Sequence, residues 1–273
     1  MRYSFAVIAA AAPVVLAQGG CSPLELIYAR ATTEPPQVSG AGFEAAAARI
    51  WSKGYGAAGY SLYTNVTKLI PGSTGYPVNY PASMDLNNGG CVGAKDLVRR
   101  LEERSKACPN QVYALGGHSQ GGAVVTAAVP LIPKELIPRI VAVTMFGSPP
   151  CKDIPSVGDR CKSFCNKGDN ICDSGAGGNG GPRVKCSGGA GAGGFGKGAK
   201  GGKGLVNIEP FMRAPVNDVW TDALLQQQCG EEEKGHPVKG MAHMAYNADG
   251  YYIRAAGCYI AKKYKERAGG AAA

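Results

Sequence analysis

Histidine is scarce in this chain: three residues, His118, His236 and His243, serve its whole length. Any imidazole chemistry must use one of them. Metal binding has little to draw on, because neither Cys161/Cys165 nor Cys165/Cys172 forms a paired C-x-x-C spacing near histidine. Beyond residue 17 no apolar run approaches the length of a membrane span. Acids are outnumbered, 20 against 29 Lys and Arg, leaving a formal net charge of +9. That excess is no nucleic-acid footprint, since the basic stretches carry no interleaved aromatics. Much of it sits in the glycine-rich stretch 174–204, with Arg183, Lys185, Lys197, Lys200 and Lys203 and no acid, and at Lys262, Lys263, Lys265 and Arg267. A solvated loop kept soluble by charge and a salt-sensitive patch for an acidic polysaccharide or anionic surface both fit this pattern.

Cysteine and glycine, by contrast, are abundant. Residues 1–17 read as a secretory signal: Arg2 is the positive start, residues 5–16 are apolar apart from Pro13, and Val15-Leu16-Ala17 places small residues where a peptidase cuts. With such a signal, ten cysteines read as up to five disulfides in an oxidising compartment. The remaining 18–273 suits a single domain with a sizeable core. Residues 174–204 are low complexity, too glycine-rich to bury a core, and are expected to be disordered.

The chain is organised around residues 112–125. An apolar run rich in strand formers ends at Gly116, and a small-residue helical pattern starts after Ser119. Between them stands Gly117-x-Ser119-x-Gly121. A serine at so tight a strand-to-helix turn takes strained backbone angles, and a side chain at either glycine would collide with the neighbouring elements. In return its Oγ is exposed above a helix N-terminus that favours negative charge. A plain glycine-rich turn with a solvated serine is the alternative.

Elsewhere, residues 24–30 read as the first core strand, and 42–53 carry Phe43, Ala46, Ala47, Ile50 and Trp51 at helical spacing as one core-facing stripe. Asn65-Val66-Thr67 is a glycosylation acceptor in a secreted chain. Residues 76–82 read as a short extended piece whose tyrosines could stack on sugars. An amphipathic helix is predicted over 96–106 with Leu97 and Leu101 inward. Residues 140–147 form a continuous apolar run of the kind buried on both faces of a parallel sheet, and a short helix is expected near 218–227. Strands alternating with helices predict an α/β fold: a central, mainly parallel sheet in a three-layer sandwich.

Asp169 lies downstream of the elbow, near the tip of the small loop that a Cys165–Cys172 bridge would close. An acid there orients a catalytic histidine by fixing its tautomer; an ordinary turn aspartate in Gly168-Asp169-Asn170 is the alternative. His118 stands beside the serine in the chain and cannot easily reach its Oγ, and His236 precedes Pro237 in a polar loop. His243 comes after the acid, in the Ser…Asp…His order of this fold, and is the favoured base.

The segments Ile27-Tyr28-Ala29-Arg30 with Thr32-Thr33-Glu34, Gly117-His118-Ser119-Gln120-Gly121, Phe164-Cys165-Asn166-x-Gly168-Asp169-x-x-Cys172 and His243-x-Ala245-Tyr246 resemble, in order, the fungal cutinase and acetylxylan esterase family of small secreted serine esterases. The resemblance implies an α/β-hydrolase-like sandwich with Ser119 as nucleophile, Asp169 as orienting acid and His243 as base. It also implies an oxyanion hole from the N–H groups of Thr32 and Gln120, assisted by the Thr32 hydroxyl, with bridges Cys21–Cys108 and Cys165–Cys172. This chain departs from the family in reading Ala31-Thr32-Thr33 where Gly-Ser-Thr is common, and His118 where tyrosine is frequent. The connection between acid and histidine is expanded by the 174–235 region. Six cysteines (Cys91, Cys151, Cys161, Cys186, Cys229 and Cys258) remain unassigned, with Cys186 and Cys229 placed to staple the insertion.

The function expected is ester hydrolysis by acyl transfer through Ser119, needing neither cofactor nor metal, by a secreted monomer without nucleic-acid partner or membrane span. Cutin-like polyesters or short-to-medium acyl esters are the first substrate class, since Met241 and Met244 beside His243 suit an acyl chain. Acetylated plant polysaccharide is the second. A non-enzymatic wall-binding protein on a relict hydrolase fold is the competing class, in which the basic insertion would be the working part.

Overall fold

The computed structural model describes residues 20–181, 183–186, 229 and 235–270. The signal expected at 1–17, residues 187–228 with their predicted short helix, and residues 230–234 lie outside this set. Five strands form one sheet in the order β2-β1-β3-β4-β5, and every pairing is parallel. They are β1 (Leu24–Ala29), β2 (Thr74–Pro77), β3 (Val112–His118), β4 (Ile140–Phe146) and β5 (Cys161–Phe164). The three central strands, β1, β3 and β4, are buried at every residue. This is what near-continuous apolar runs predict for a sheet covered on both faces.

The covering helices are α1 (Phe43–Ala48), α2 (Gly56–Leu69), α3 (Leu86–Ala107), α4 (Gln120–Ala128) and α5 (Tyr251–Gly270). Because successive strand side chains point to opposite faces, β1 splits between two cores. Leu24, Leu26 and Tyr28 pack with Leu62 and Val66 of α2 and Ile253, Ala256 and Ile260 of α5. Ile27 and Ala29 pack with Leu97 and Leu101 of α3 and Val124 and Val125 of α4. Each fully buried Leu or Ile contributes about 1.5–3 kcal/mol over its exposed state. The result is the three-layer sandwich expected from the alternation of elements.

Several local expectations need correction. The helix read over 42–53 stops at Ala48; Trp51 falls beyond it, 37% exposed, edge-on against Tyr60. Asn65 is no surface acceptor: it is buried inside α2, and its Nδ2 donates to the Ser61 carbonyl at 2.8 Å. A glycan has no room there. Of the tyrosines offered to sugars, Tyr80 is wholly buried over Arg30, and Tyr76 Oη donates to Asp96 at 3.0 Å. The amphipathic helix begins ten residues before the predicted start, at Leu86, where the Asp85 carboxylate accepts the Asn88 N–H.

The insertion read as disordered from Ser174 is held through Cys186. A 3-10 turn spans Ser174–Ala176, Val184 packs onto Gly90, and Cys186 bridges Cys91. The other bridges are Cys21–Cys108, Cys151–Cys161, Cys165–Cys172 and Cys229–Cys258. Cys186 and Cys229 therefore anchor the two ends of the insertion to α3 and α5 rather than to each other. Part of the basic excess is neutralised internally: Arg183 pairs with Asp153 at 2.9 Å, and Lys263 with Asp159 at 2.8 Å.

Candidate active site

The site lies at the C-terminal ends of β3, β4 and β5, where parallel α/β sheets leave room for ligands. Ser119 joins β3 to α4 with φ 54° and ψ −117°, a conformation that side chains rarely adopt. The two elbow glycines make it possible. A Cβ on Gly117 would stand 2.3 Å from the Gly121 carbonyl group, and one on Gly121 would stand 1.9 Å from the Ala29 carbonyl oxygen. Ser119 N–H donates to the Phe146 carbonyl at 2.9 Å, continuing the ladder to β4 and holding the turn.

Asp169 follows β5 in the loop closed by Cys165–Cys172. It is fully buried, and its carboxylate is saturated with donors. Ile171 N–H reaches Oδ1 at 2.8 Å, Tyr246 Oη reaches Oδ2 at 2.6 Å, and His243 Nδ1 lies 2.9 and 3.1 Å from the two oxygens. His243 Nε2 lies 2.8 Å from Ser119 Oγ. The structure thus brings the three predicted residues into one hydrogen-bonded chain. A carboxylate can only accept, so Nδ1 carries the imidazole proton and Nε2 presents its lone pair to the serine hydroxyl. Such an arrangement can take the proton from Oγ as the oxygen attacks an electrophile, with the imidazolium stabilised by Asp169.

Burial pushes the Asp169 carboxyl up, but the hydrogen bonds from His243 and Tyr246 outweigh it and leave the group below its ordinary range. A depressed native pKa stabilises the fold above the unfolded value of about 4, and that contribution is lost as pH falls through the native value. Thermal unfolding followed from neutral pH to about pH 3 should therefore show a drop on the acid side that is smaller in Asp169→Asn. An equal drop in the variant would remove Asp169 as a source of acid lability.

The loop expected to supply the oxyanion hole is held by two buried side chains, Arg30 and Glu34. Arg30, wholly buried, donates to the carbonyls of Glu34, Val78, Pro36 and Tyr80. Glu34 accepts the N–H groups of Ala31 at 2.7 Å and Ala57 at 2.8 Å, tying the loop to the start of α2. Burial raises its carboxyl above the ordinary range, against those hydrogen bonds. Thr32 sits between these anchors, half-buried. Gln120 is the first residue of α4, so its N–H has no acceptor within the helix. Its side chain donates to the Ser83 carbonyl at 3.2 Å, next to Met84.

Gly147 and Tyr246 were likewise missed as site residues in their own right. Gly147, at φ 52°, lets the chain leaving β4 pass under Asp169 and His243: a Cβ there would lie 2.6 Å from Asp169 Oδ2 and 2.9 Å from His243 Nδ1. No local signal marks it beyond a glycine ending a strand. His236, the runner-up base, is elsewhere. Its Nε2 meets Asp249 Oδ2 at 2.7 Å and its ring stacks on Tyr251. The one grouping with metal-ligand geometry among the described residues, Cys165, Asp169 and Cys172, has both sulfurs consumed in a disulfide.

A parallel sheet carrying a strained serine at a strand-to-helix elbow, with histidine and aspartate arriving from later loops, defines the α/β-hydrolase-like class. Within it the chain belongs to the cutinase family, whose family model matches residues 20–180. The chain is 31% identical over 183 residues to a probable carboxylesterase, Culp3, of Mycobacterium tuberculosis, covering 60% of this chain and 63% of that protein. It is 30% identical over 177 residues to the same organism's phospholipase Culp4, covering 58% and 70%. The chain therefore spans roughly two thirds of these relatives' length. A solved acetylxylan esterase shares the fold over 89% of this chain and 99% of its own, with TM-score 0.51 and 16% identity.

Proposed function

We propose that this chain is a secreted serine esterase that hydrolyses carboxylic ester bonds through an acyl-enzyme on Ser119. The observation that carries the reading is the continuous hydrogen-bonded chain from Ser119 Oγ through His243 to buried Asp169. His243 takes the serine proton, Oγ attacks the ester carbonyl, and the N–H groups of Thr32 and Gln120 receive the oxyanion. His243 then returns the proton to the departing alcohol, and water repeats the sequence to release the acid. Secretion is supported by the N-terminal pattern and by five disulfides, which persist in oxidising compartments.

Two exposed methionines favour a lipophilic acyl group. Met84, 75% exposed, follows the residue whose carbonyl the Gln120 side chain grips, and Met241, 56% exposed, precedes His243 by two residues. Flexible apolar side chains flanking a site accommodate acyl chains of varied length. Buried Tyr80 and hydrogen-bonded Tyr76 weaken the polysaccharide alternative. Turnover of p-nitrophenyl esters of increasing acyl length is expected to peak at short-to-medium chains, with Met84→Ser and Met241→Ser together moving the preference toward acetate. Activity confined to acetate in the wild type would instead indicate a deacetylase, and preference for dispersed phospholipid would indicate a phospholipase. No turnover and no fluorophosphonate labelling of Ser119 would reject the esterase.

A further inference from the structure

His118 lies inside the elbow, one residue before the nucleophile, and the reaction above gives it no step. It is buried, and a polar ring so placed needs a hydrogen-bond partner. Its Nε2 lies 2.9 Å from the main-chain carbonyl oxygen of His243. A carbonyl only accepts, so Nε2 carries the proton and donates it. The His118 ring centroid is 5.2 Å from that of His243 and 5.2 Å from that of Tyr246, the latter contact edge-on. Tyr246 in turn donates to Asp169. The preceding carbonyl, of Ala242, accepts from Asn166 Nδ2 at 2.8 Å. Two successive carbonyls of the short turn Ala242–Asn247 are thus gripped by side chains from β3 and from the loop after β5.

We propose that His118 is a positioning residue, whose neutral imidazole donates Nε2–H to the His243 carbonyl and fixes the main chain that presents the His243 ring to Ser119. The inference rests on the esterase reading and names a further residue for that same site. Its physical sense lies in connectivity. Ser119 and His243 are 124 residues apart in sequence, and the His118 side chain grows from the backbone next to the nucleophile. One short stretch of β3 therefore holds both partners of the proton transfer. Phenylalanine would fill the space but leave the carbonyl unheld. Burial, and next the neighbouring His243, push the His118 imidazole down to about 3, against weaker opposing pulls from the His243 carbonyl and Asp169. The ring therefore stays an uncharged donor, and adds no like charge beside the imidazolium formed on His243 during turnover.

Two variants and one spectrum test this. His118→Phe keeps a ring without the donor, and His118→Gln places an amide N–H near the position of Nε2. With p-nitrophenyl butyrate, His118→Phe is expected to lose about tenfold or more in kcat with KM within about twofold, and His118→Gln to recover most of the loss. A folded His118→Phe with wild-type kcat, or a folded His118→Gln as impaired as His118→Phe, would overturn the proposal. Ring 15N–1H spectra of the wild type give a readout independent of both variant folding and activity. The His118 ring is expected as the Nε2–H tautomer, unchanged between about pH 5 and 8. A ring that titrates there, or carries its proton on Nδ1, would overturn it equally. If the wild type is inactive and Ser119 unlabelled, the esterase reading fails by itself, and the spectrum still decides which ring nitrogen of His118 carries the proton.

Discussion

Ser119→Ala is expected to remove ester hydrolysis almost entirely, on the order of 10⁴–10⁶-fold in kcat, while the protein stays folded. Deleting Oγ takes away the atom that His243 Nε2 faces across 2.8 Å, so His243 would have no hydroxyl proton to accept. The backbone strain at residue 119, roughly 1–3 kcal/mol for such a φ, is retained by alanine, and the melting temperature should move little. Thr32→Ala supplies the scale. It loses the hydroxyl but keeps the backbone N–H, so its deficit should not exceed the roughly 10²–10³-fold typical of one lost oxyanion donor. Steady-state kinetics of the two variants on one ester decides the matter. Equal losses would mean that the oxyanion hole is assigned to the wrong loop, and activity surviving in Ser119→Ala would reject the nucleophile.

Gly147→Ala should damage activity and stability together, although residue 147 carries no functional group. Its backbone sits at φ 52°, and the added methyl would meet Asp169 Oδ2 at 2.6 Å, His243 Nδ1 at 2.9 Å and Tyr246 Cε2 at 3.0 Å. Those three side chains belong to one hydrogen-bonded unit, so a shift that relieves the clash is expected to pull His243 away from Ser119. A displacement of about 1 Å there costs on the order of 10²-fold in rate. Backbone strain and overpacking add a destabilisation of about 1–3 kcal/mol each. Gly168→Ala is the matched control: its φ is 85°, yet its Cβ would meet only the Ala242 methyl, at 3.8 Å. It should lose stability with kcat nearly intact. A Gly147→Ala protein that turns over like the wild type would show that acid and base have room the structure does not give them.

These expectations begin with features legible in the chain itself. The elbow could be read because its chemistry is local: a strand, two glycines at fixed offsets from a serine, and a helix follow one another within a dozen residues. β1, β3 and β4 announced themselves as apolar runs, and an even cysteine count pointed to the bridges that the structure pairs. Other elements were hidden for equally physical reasons. Helix α2 was overlooked because Gly56, Gly59, Tyr60 and Thr64 dilute its pattern, and its stability comes from packing between the sheet and α5. The glycine-rich composition after Ser174 masked order among the described residues up to Cys186, which comes from the Cys91 bridge, the Val184 contact on Gly90 and the Arg183–Asp153 pair.

By itself, the sequence determined the class of architecture, the candidate nucleophile and a short list of acids and bases, because each rests on residues close together in the chain. Chain order already favoured His243 over His236, but only the tertiary structure puts its Nε2 2.8 Å from Ser119 Oγ, a contact between two segments 124 residues apart. It alone gave Arg30 and Glu34 their place around the Thr32 loop, Gly147 its narrow passage beneath Asp169, and His118 its carbonyl. Each of those roles depends on which atoms meet after the chain has crossed from strand to strand. Distance in space, which no spacing along the chain encodes, decides them.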